Sequence, residues 1–148
     1  MDREILYRGK RKDNGEWIDG FITGLCGYST DKQTGKVTHI DSYYMRNHCI
    51  DAKTVGEYTG LTDKNGKKIF EGDIVKCRDI NNDIEFTSIV EFGNPNHTYN
   101  WGWQFRIIGG DKNANPDILL WVDMEKTGAI CEVIGNIHDN KGLLEVSE

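Results

Sequence analysis

The segment Val55–Lys76 constrains the fold of this chain most, because it combines two extended stretches with two turn signals. It reads VGEYTGLTDKNGKKIFEGDIVK. Asn65-Gly66 is a strong hairpin signal, since a type I′ turn needs positive φ at both central residues. Gly72-Asp73 then indicates a sharp bend into a strand at Ile74–Cys77, because a glycine between strands often marks a bulge or a barrel corner. The segment therefore predicts a hairpin followed by a bend, as in small β-barrels.

Short extended stretches separated by turn signals continue along the rest of the chain. A hairpin about Asn14-Gly15 is predicted to join strands at Ile5–Arg8 and Glu16–Thr23. Asp51–Val55 reads as one capped helical turn, with Asp51 as the capping residue. Further strands are predicted at Val37–Ile40, Glu85–Phe92, Trp101–Ile107, Ile118–Val122 and Ala129–Ile134, and a short helix at His138–Val146.

These elements predict an all-β fold, a small barrel or sandwich of roughly eight to ten short antiparallel strands with one or two short helical turns. The 148 residues suit a single domain, or two lobes of about residues 1–50 and 51–148 that share a core. No apolar run is long enough for a membrane span, and no signal peptide follows Met1. We therefore expect a cytosolic chain with no membrane partner, whose cysteines are reduced thiols.

Three stretches in this order carry a family resemblance: Arg3–Gly9, Val55–Val75 and Val133–His138. With them the chain resembles the YopX-like family of bacteriophage and prophage proteins. The resemblance implies a compact all-β domain that is encoded in a phage or prophage genome and made in the bacterial cytoplasm. It implies no established activity and no catalytic residues. The chain departs from the family pattern in the polar middle, Gly93–Asn115.

The residues that could carry catalysis or bind a metal form no recognised motif. The four cysteines, Cys26, Cys49, Cys77 and Cys131, contain no Cys-x-x-Cys pair, so no metal site is predicted. The glycines around the Asn65 turn have the wrong spacing for a phosphate loop, and no cofactor is expected. Cys77 and Cys131 lie in strand patterns and are interpreted as core residues. A catalytic cysteine would need a partner among His39, His48, His97 and His138, which no flanking signature supports.

Two groups of residues are candidates for binding a partner. Trp101, Trp103 and Phe105 alternate along a predicted strand, as a core face or, less favoured, as a platform for stacked bases. The candidate interaction surface is formed by basic residues and one loop tyrosine: Arg8, Lys10, Arg11, Lys12, Lys64, Lys67, Lys68 and Tyr99. The net charge of −6 and the isoelectric point of about 5.2 argue against a broad electrostatic grip on nucleic acid.

Three hypotheses about function follow. The first is a non-catalytic β-barrel module that binds a host or phage protein through its loops and exposed strand edges. Edge strands also pair with a second copy, so a homo-oligomer is plausible. The alternative is a nucleic-acid-binding small barrel that uses the basic N-terminal hairpin with Lys64, Lys67 and Lys68. The third, a cysteine-dependent hydrolase, is the least favoured.

Overall fold

The computed structural model describes residues 5–93, 102–122 and 129–145, and this part of the chain is dominated by antiparallel strands. The strands are β1 (Tyr7–Lys10), β2 (Trp17–Gly20), β3 (Ile22–Thr30), β4 (Val37–Met45), β5 (His48–Asp51), β6 (Gly56–Thr62), β7 (Lys68–Phe70), β8 (Asp73–Asp79), β9 (Ile84–Gly93), β10 (Gly102–Gly110) and β11 (Ala129–Asn136). One short α-helix, α1 (Ile118–Val122), and two 3-10 turns, Ala52–Thr54 and Lys141–Glu145, complete them.

The strands form sheets with the orders β2-β1-β6-β7, β10-β9-β8-β11 and β3-β4-β5. The predicted all-β antiparallel fold is thus confirmed. Across the described ranges none of the three sheets closes into a barrel, so the sheets are open, as in a sandwich. The chain divides into two compact units, Met1–Tyr58 and Thr59–Glu148.

Three hairpins, β1–β2, β3–β4 and β4–β5, shape the first unit. The predicted hairpin at Asn14-Gly15 is confirmed: Arg11 N–H donates to Glu16 O at 2.9 Å, and Gly15 has a φ of 72°. A second hairpin, which the sequence analysis missed, joins β4 to β5 through Arg46-Asn47. Both residues have positive φ, 52° and 65°, as a two-residue type I′ turn requires.

The capped turn that ends β5 also behaves as predicted. Asp51 accepts a hydrogen bond from the backbone N–H of Lys53 at 3.1 Å. The hydroxyl of Thr54 accepts the N–H of Lys10 at 2.8 Å, which fastens this turn to β1. Nearby, Gly9 is buried against Ile50, and a Cβ at Gly9 would collide with the Ile50 side chain. This contact explains why β1 carries a glycine at its centre.

The second unit is built around an aromatic core on the sheet β10-β9-β8-β11. Phe86 meets Phe105 edge to face with ring centroids 5.8 Å apart, and meets Trp121 in the same way at 5.0 Å. All three side chains are almost fully buried. Edge-to-face pairs stabilise a core beyond the area that they bury. This cluster holds α1 against the sheet.

The helix α1 corrects a prediction, because Ile118–Val122 was expected to be a strand. The Asp117 carboxylate accepts the N–H of Leu119 at 3.1 Å, and Trp121 Nε1 donates to Asn115 O at 2.7 Å. These local hydrogen bonds close one helical turn. A five-residue apolar run cannot be assigned to strand or helix by periodicity alone. The helix predicted at His138–Val146 is a single 3-10 turn within its described part.

The hairpin predicted at Asn65-Gly66 is confirmed, but its turn is not type I′. Only Gly66 of this pair has a positive φ, 79°. Gly66 N–H donates to Asp63 O at 3.0 Å, and Asp63 N–H donates to Lys67 O at 2.8 Å. This is a three-residue loop, a type I turn followed by a left-handed glycine. The predicted bend is also present, with Gly72 at a φ of 90°.

Candidate functional site

A broad apolar groove lies in the first unit. Its volume is about 650 Å³, and apolar or aromatic residues line it: Ile5, Tyr7, Phe21, Ile22, Tyr43, Ala52 and Val55. Phe21 is 64% exposed and Ile5 is 58% exposed. Grouped exposed apolar side chains commonly mark interaction sites, whereas single ones do not. The groove is therefore a candidate for binding an apolar partner.

The position of Phe21 follows from the sheet topology. Phe21 is the single residue between β2 and β3. Strand β2 ends one sheet, and β3 ends the three-stranded sheet. The groove therefore lies where two outer strands meet, and an extended polypeptide placed there would have both backbone and apolar side chains within reach.

The outer strand β3 is the open edge of the three-stranded sheet. On the opposite side, Lys12 N–H donates to Cys49 O at 2.9 Å, and Arg11 forms a bridge with Ile50, so β5 is covered. In the described chain β3 has a ladder partner only in β4. An uncovered edge presents backbone donors and acceptors to any strand that approaches.

Beyond β5, strands β3 and β4 continue as a two-stranded ribbon. Tyr28 pairs with Ile40 and Thr30 with Val37, so each pair shares a face. Tyr28 is 54% exposed and Val37 is 46% exposed. A hairpin ribbon alone buries little apolar surface. The ribbon thus carries exposed apolar side chains of its own.

The tip of this ribbon is well ordered by one carboxylate. Asp31 Oδ1 accepts the N–H groups of Gln33 at 2.7 Å and Thr34 at 3.0 Å. The hydrogen bond from Thr34, followed by that from Gln33, lowers the pKa of Asp31 below its ordinary value. Gly35, with a φ of 72°, completes the turn. The tip is therefore a defined loop.

The expectation of four reduced cysteines is wrong for two of them. Cys26 of β3 and Cys49 of β5 form a disulfide with their Cα atoms 5.8 Å apart. Register shifts flank Cys26 in β3, between Leu25 and Gly27. Such bulges re-aim a side chain. The sequence carries no local pattern that would have revealed this pairing, and Cys49 is unavailable as a metal ligand.

The basic residues predicted on the N-terminal hairpin are engaged locally. The Arg8 guanidinium lies 4.7 Å from the centre of the Trp17 ring, and Lys10 Nζ lies 5.5 Å from it. Arg11 and Lys12 are each 2.6 Å from a carboxylate. These carboxylates belong to Asp13 and Asp41.

The two ion pairs also shift the acidities of their members. The hydrogen bond that Arg11 donates to Asp13 raises the pKa of Arg11, and the one that Lys12 donates to Asp41 raises the pKa of Lys12. The same contacts lower the pKa values of both carboxyl groups. Much of the positive charge on this hairpin is therefore balanced within the unit.

The other residues of the candidate interaction surface lie outside the N-terminal hairpin. Lys64 is 3.6 Å from Glu132, and Lys67 and Lys68 are exposed, all in the second unit. Tyr99 lies outside the described residues.

The first unit holds nine Lys and Arg against nine Asp and Glu. The second holds nine against fifteen and so carries the whole net charge of −6.

The aromatic stripe is partly a core face. Trp101 lies outside the described residues, whereas Phe105 is fully buried. Trp103 is half-buried and packs edge to face on Phe92 with centroids 5.0 Å apart. Gln104, between Trp103 and Phe105, is only 2% exposed and lines a cavity of about 290 Å³ with Trp103. This packing leaves no open face of alternating rings for stacked bases along the described part of the strand.

Cys77, one of the two free cysteines, is a poor nucleophile. Cys77 and Cys131 are buried, as predicted for core residues, and their sulfur atoms lie 2.6 Å apart. Burial, followed by the hydrogen bond with Cys131, raises the pKa of Cys77 far above its ordinary value. The reactive form of a cysteine is its thiolate. A buried neutral thiol therefore gives no support to the hydrolase hypothesis.

The ranges that the structure covers show neither a metal-binding cluster nor a membrane-spanning helix. No three His, Cys, Asp or Glu side chains there come together as a metal-binding group. No helix in those ranges combines the length and the apolar character needed to cross a membrane.

Comparison with known proteins assigns the family. The crystal structure of protein EF1440 from Enterococcus faecalis is similar, with a TM-score of 0.48 and 22% sequence identity over 97% of this chain and 100% of that one. No curated protein sequence matches the chain. The sequence model described as YopX protein matches residues 6–145. The chain therefore belongs to the YopX protein family.

Proposed function

We propose that this protein is a non-catalytic interaction module whose first unit binds an extended, apolar segment of another protein. The observation that carries the proposal is the groove of about 650 Å³ at the start of β3, the outer strand of its sheet, with Phe21 64% exposed on its wall. A segment that pairs with β3 would gain main-chain hydrogen bonds, and the groove would take its alternate side chains. The proposal names a binding mode rather than a reaction.

The charge distribution supports a partner segment with little net charge. The unit that carries the groove has equal numbers of acidic and basic residues, so it neither attracts nor repels strongly charged chains at long range. Tyr28 and Val37 are further exposed apolar side chains on the ribbon of the same unit. A partner segment in which apolar or aromatic side chains alternate with polar ones could contact both the groove and the ribbon.

The nucleic-acid alternative has weaker support. Phosphate binding requires several unengaged Lys or Arg, and Arg11 and Lys12 already pair with carboxylates at 2.6 Å. We further propose that the protein acts in the cytoplasm of a bacterium that carries a phage or prophage, as the family resemblance implies.

A display library of random peptides panned against the immobilised protein tests the proposed function. We expect selected peptides to alternate apolar and polar residues and to bind the free protein in calorimetry. Phe21→Asp should abolish this binding, because a carboxylate would be placed in the apolar groove. Ile80→Asp is the matched control, since Ile80 is also largely exposed, at 59%, but lies in the second unit.

Light scattering on the same variants shows whether the groove binds a second copy of this chain or a segment of another protein. A concentration-dependent dimer that Phe21→Asp dissociates and Ile80→Asp preserves would assign the groove to a second copy of this chain. A monomer that selects no peptide, or that selects peptides whose binding survives Phe21→Asp, would contradict the proposal.

A further inference from the structure

Cys77 and Cys131 face each other directly across two neighbouring antiparallel strands. They are register partners in the ladder between β8 and β11. Their sulfur atoms are 2.6 Å apart, and the residues are 54 positions apart in sequence. Both side chains are buried. The two thiols thus form a preorganised pair that neither the family assignment nor the proposed function uses.

The backbone around this pair has the spacing that a disulfide needs. The carbonyl of Cys131 accepts the N–H of Lys64 at 3.0 Å, and Val133 N–H donates to Asp63 Oδ2 at 2.9 Å. Cys131 and Val133 of β11 therefore direct these backbone groups away from β8. In the ladder between the two strands, Cys77 and Cys131 are consequently a non-hydrogen-bonded pair. Such pairs have Cα atoms about 4.5 Å apart, and disulfides span about 4.4–6.8 Å. No backbone movement is required to join them.

We propose that Cys77 and Cys131 are a reversible oxidation site that forms a second disulfide, between β8 and β11, in the presence of a small organic disulfide. The reagent accepts the two electrons that the thiols lose. Its sulfur–sulfur bond breaks, one protein sulfur–sulfur bond forms, and the two protons end on the two thiols released from the reagent. A small dithiol or thiol reverses the reaction.

The accessibility of the two thiols to the reagent sets the order of the two thiol–disulfide exchange steps. Cys131 lines a cavity of about 200 Å³ together with Asp63, Lys64 and Trp121, whereas Cys77 is completely buried. Cys131 therefore attacks the reagent first and forms a mixed disulfide. Cys77 then attacks the Cys131 sulfur and displaces the second half of the reagent. Because burial raises the pKa of Cys77, we expect the closing step to be slow.

The second disulfide would tie an outer strand to its sheet. Strand β11 is the last strand in the order β10-β9-β8-β11. Outer strands have a ladder on one side only and are more easily opened. A covalent bond from β11 to β8 would oppose that opening, so oxidation should raise the unfolding temperature.

The test uses the full chain in a redox buffer of 2-hydroxyethyl disulfide and 2-mercaptoethanol. After equilibration under native conditions, the remaining thiols are blocked in acidic denaturant, and intact mass and peptide mapping identify the pairs. We expect a fully oxidised chain that lacks four hydrogens and contains the pairs Cys26–Cys49 and Cys77–Cys131. The double variant Cys26→Ala/Cys49→Ala should still lose two hydrogens, and the further change Cys131→Ala should prevent this loss.

Two results would overturn the proposal. One is that Cys77 and Cys131 both still react with the thiol-blocking reagent under conditions in which Cys26 and Cys49 form a disulfide. The other is that Cys77 pairs with Cys26 or Cys49 instead. Thermal unfolding gives an independent readout, because oxidation should raise the midpoint of Cys26→Ala/Cys49→Ala but not that of the same variant with Cys77→Val/Cys131→Val added. A failure of peptide binding would leave these measurements unaffected, so the two proposals can be judged separately.

Discussion

The carboxylate of Asp63 accepts a hydrogen bond from the backbone N–H of Val133 at 2.9 Å, across 70 positions of sequence. Its other oxygen accepts the N–H groups of Asn65 at 2.9 Å and Lys67 at 3.0 Å. One side chain, only 8% exposed, therefore shapes the β6–β7 turn and anchors strand β11 to it. The turn and the strand cannot be formed independently in the native structure.

We predict that Asp63→Ala lowers the free energy of unfolding by about 3 kcal/mol, since three backbone donors lose a charged acceptor and at least one is buried. Urea denaturation followed by tryptophan fluorescence would measure the change. Asp63→Asn should recover only part of the loss, because its amide NH₂ cannot accept a hydrogen bond.

The matched control for this prediction is Asp83→Asn. Asp83 is exposed and has a φ of 53°, a conformation that asparagine tolerates well. Its change should alter stability by less than about 0.5 kcal/mol. Equal effects of the Asp63 and Asp83 substitutions would refute the anchoring role.

Gly110 provides a second prediction, about close backbone approach. A Cβ at this position would lie 2.5 Å from Glu85 O and 2.8 Å from Phe86 Cα, at a φ of 83°. Gly66 has a similar φ of 79°, but a Cβ there meets nothing within 4 Å. We expect Gly66→Ala to cost about 1 kcal/mol of unfolding free energy for the left-handed backbone alone. Gly110→Ala should cost about 2 kcal/mol more than Gly66→Ala, because the backbone must also shift. Urea denaturation of both variants would measure these losses. Equal losses at the two positions would contradict the predicted steric collision at Gly110.

The family resemblance in the sequence corresponds to contacts in the structure. Its second and third stretches are joined by the Asp63–Val133 bond and by Ile137 N–H, which donates to Gly72 O at 2.9 Å. Its first stretch meets the beginning of the second, where Tyr58 N–H donates to Leu6 O at 2.8 Å. The three stretches that carry the resemblance are therefore joined to one another by hydrogen bonds in the folded chain.

Other features could not be predicted, for physical reasons. The turn at Asn65-Gly66 was expected to be type I′ from the dipeptide alone, but the nearby Asp63 carboxylate favours a different turn. Helix α1 depends on side-chain hydrogen bonds that hydrophobic periodicity does not report. The groove joins Ile5, Phe21 and Tyr43 from separate strands or loops. Such a surface exists only after the chain has folded.

The Cys26–Cys49 disulfide should stabilise the first unit. The bond closes a loop with a sequence separation of 23, for which restriction of the unfolded chain is worth about 3 kcal/mol. We expect reduction with a phosphine to lower the denaturation midpoint of the wild-type chain and of Cys77→Val/Cys131→Val. The same variant with Cys26→Ala/Cys49→Ala added should be insensitive to the reductant. An unchanged midpoint for the wild-type chain, with complete reduction verified by mass, would exclude a stabilising role.

The buried Cys77 thiol predicts a dependence of stability on pH under reducing conditions. Burial raises the pKa of this thiol in the folded chain above its ordinary value. Above about pH 8.5, an unfolded cysteine releases its proton while the folded one retains it. The folded state then binds more protons, so this group's contribution is intact below that pH and decreases as pH rises. The decrease is at most about 1.4 kcal/mol per pH unit.

Comparison with Cys77→Val isolates this contribution, because the other titrating groups are common to both proteins. The difference in unfolding free energy between the wild-type chain and the variant should be constant from about pH 7 to 8 and should then move against the wild-type chain. Urea denaturation in the presence of a phosphine reductant would measure it. A difference that stays constant up to about pH 10 would mean that the thiol at Cys77 titrates alike in both states, and so that water reaches it in the folded protein.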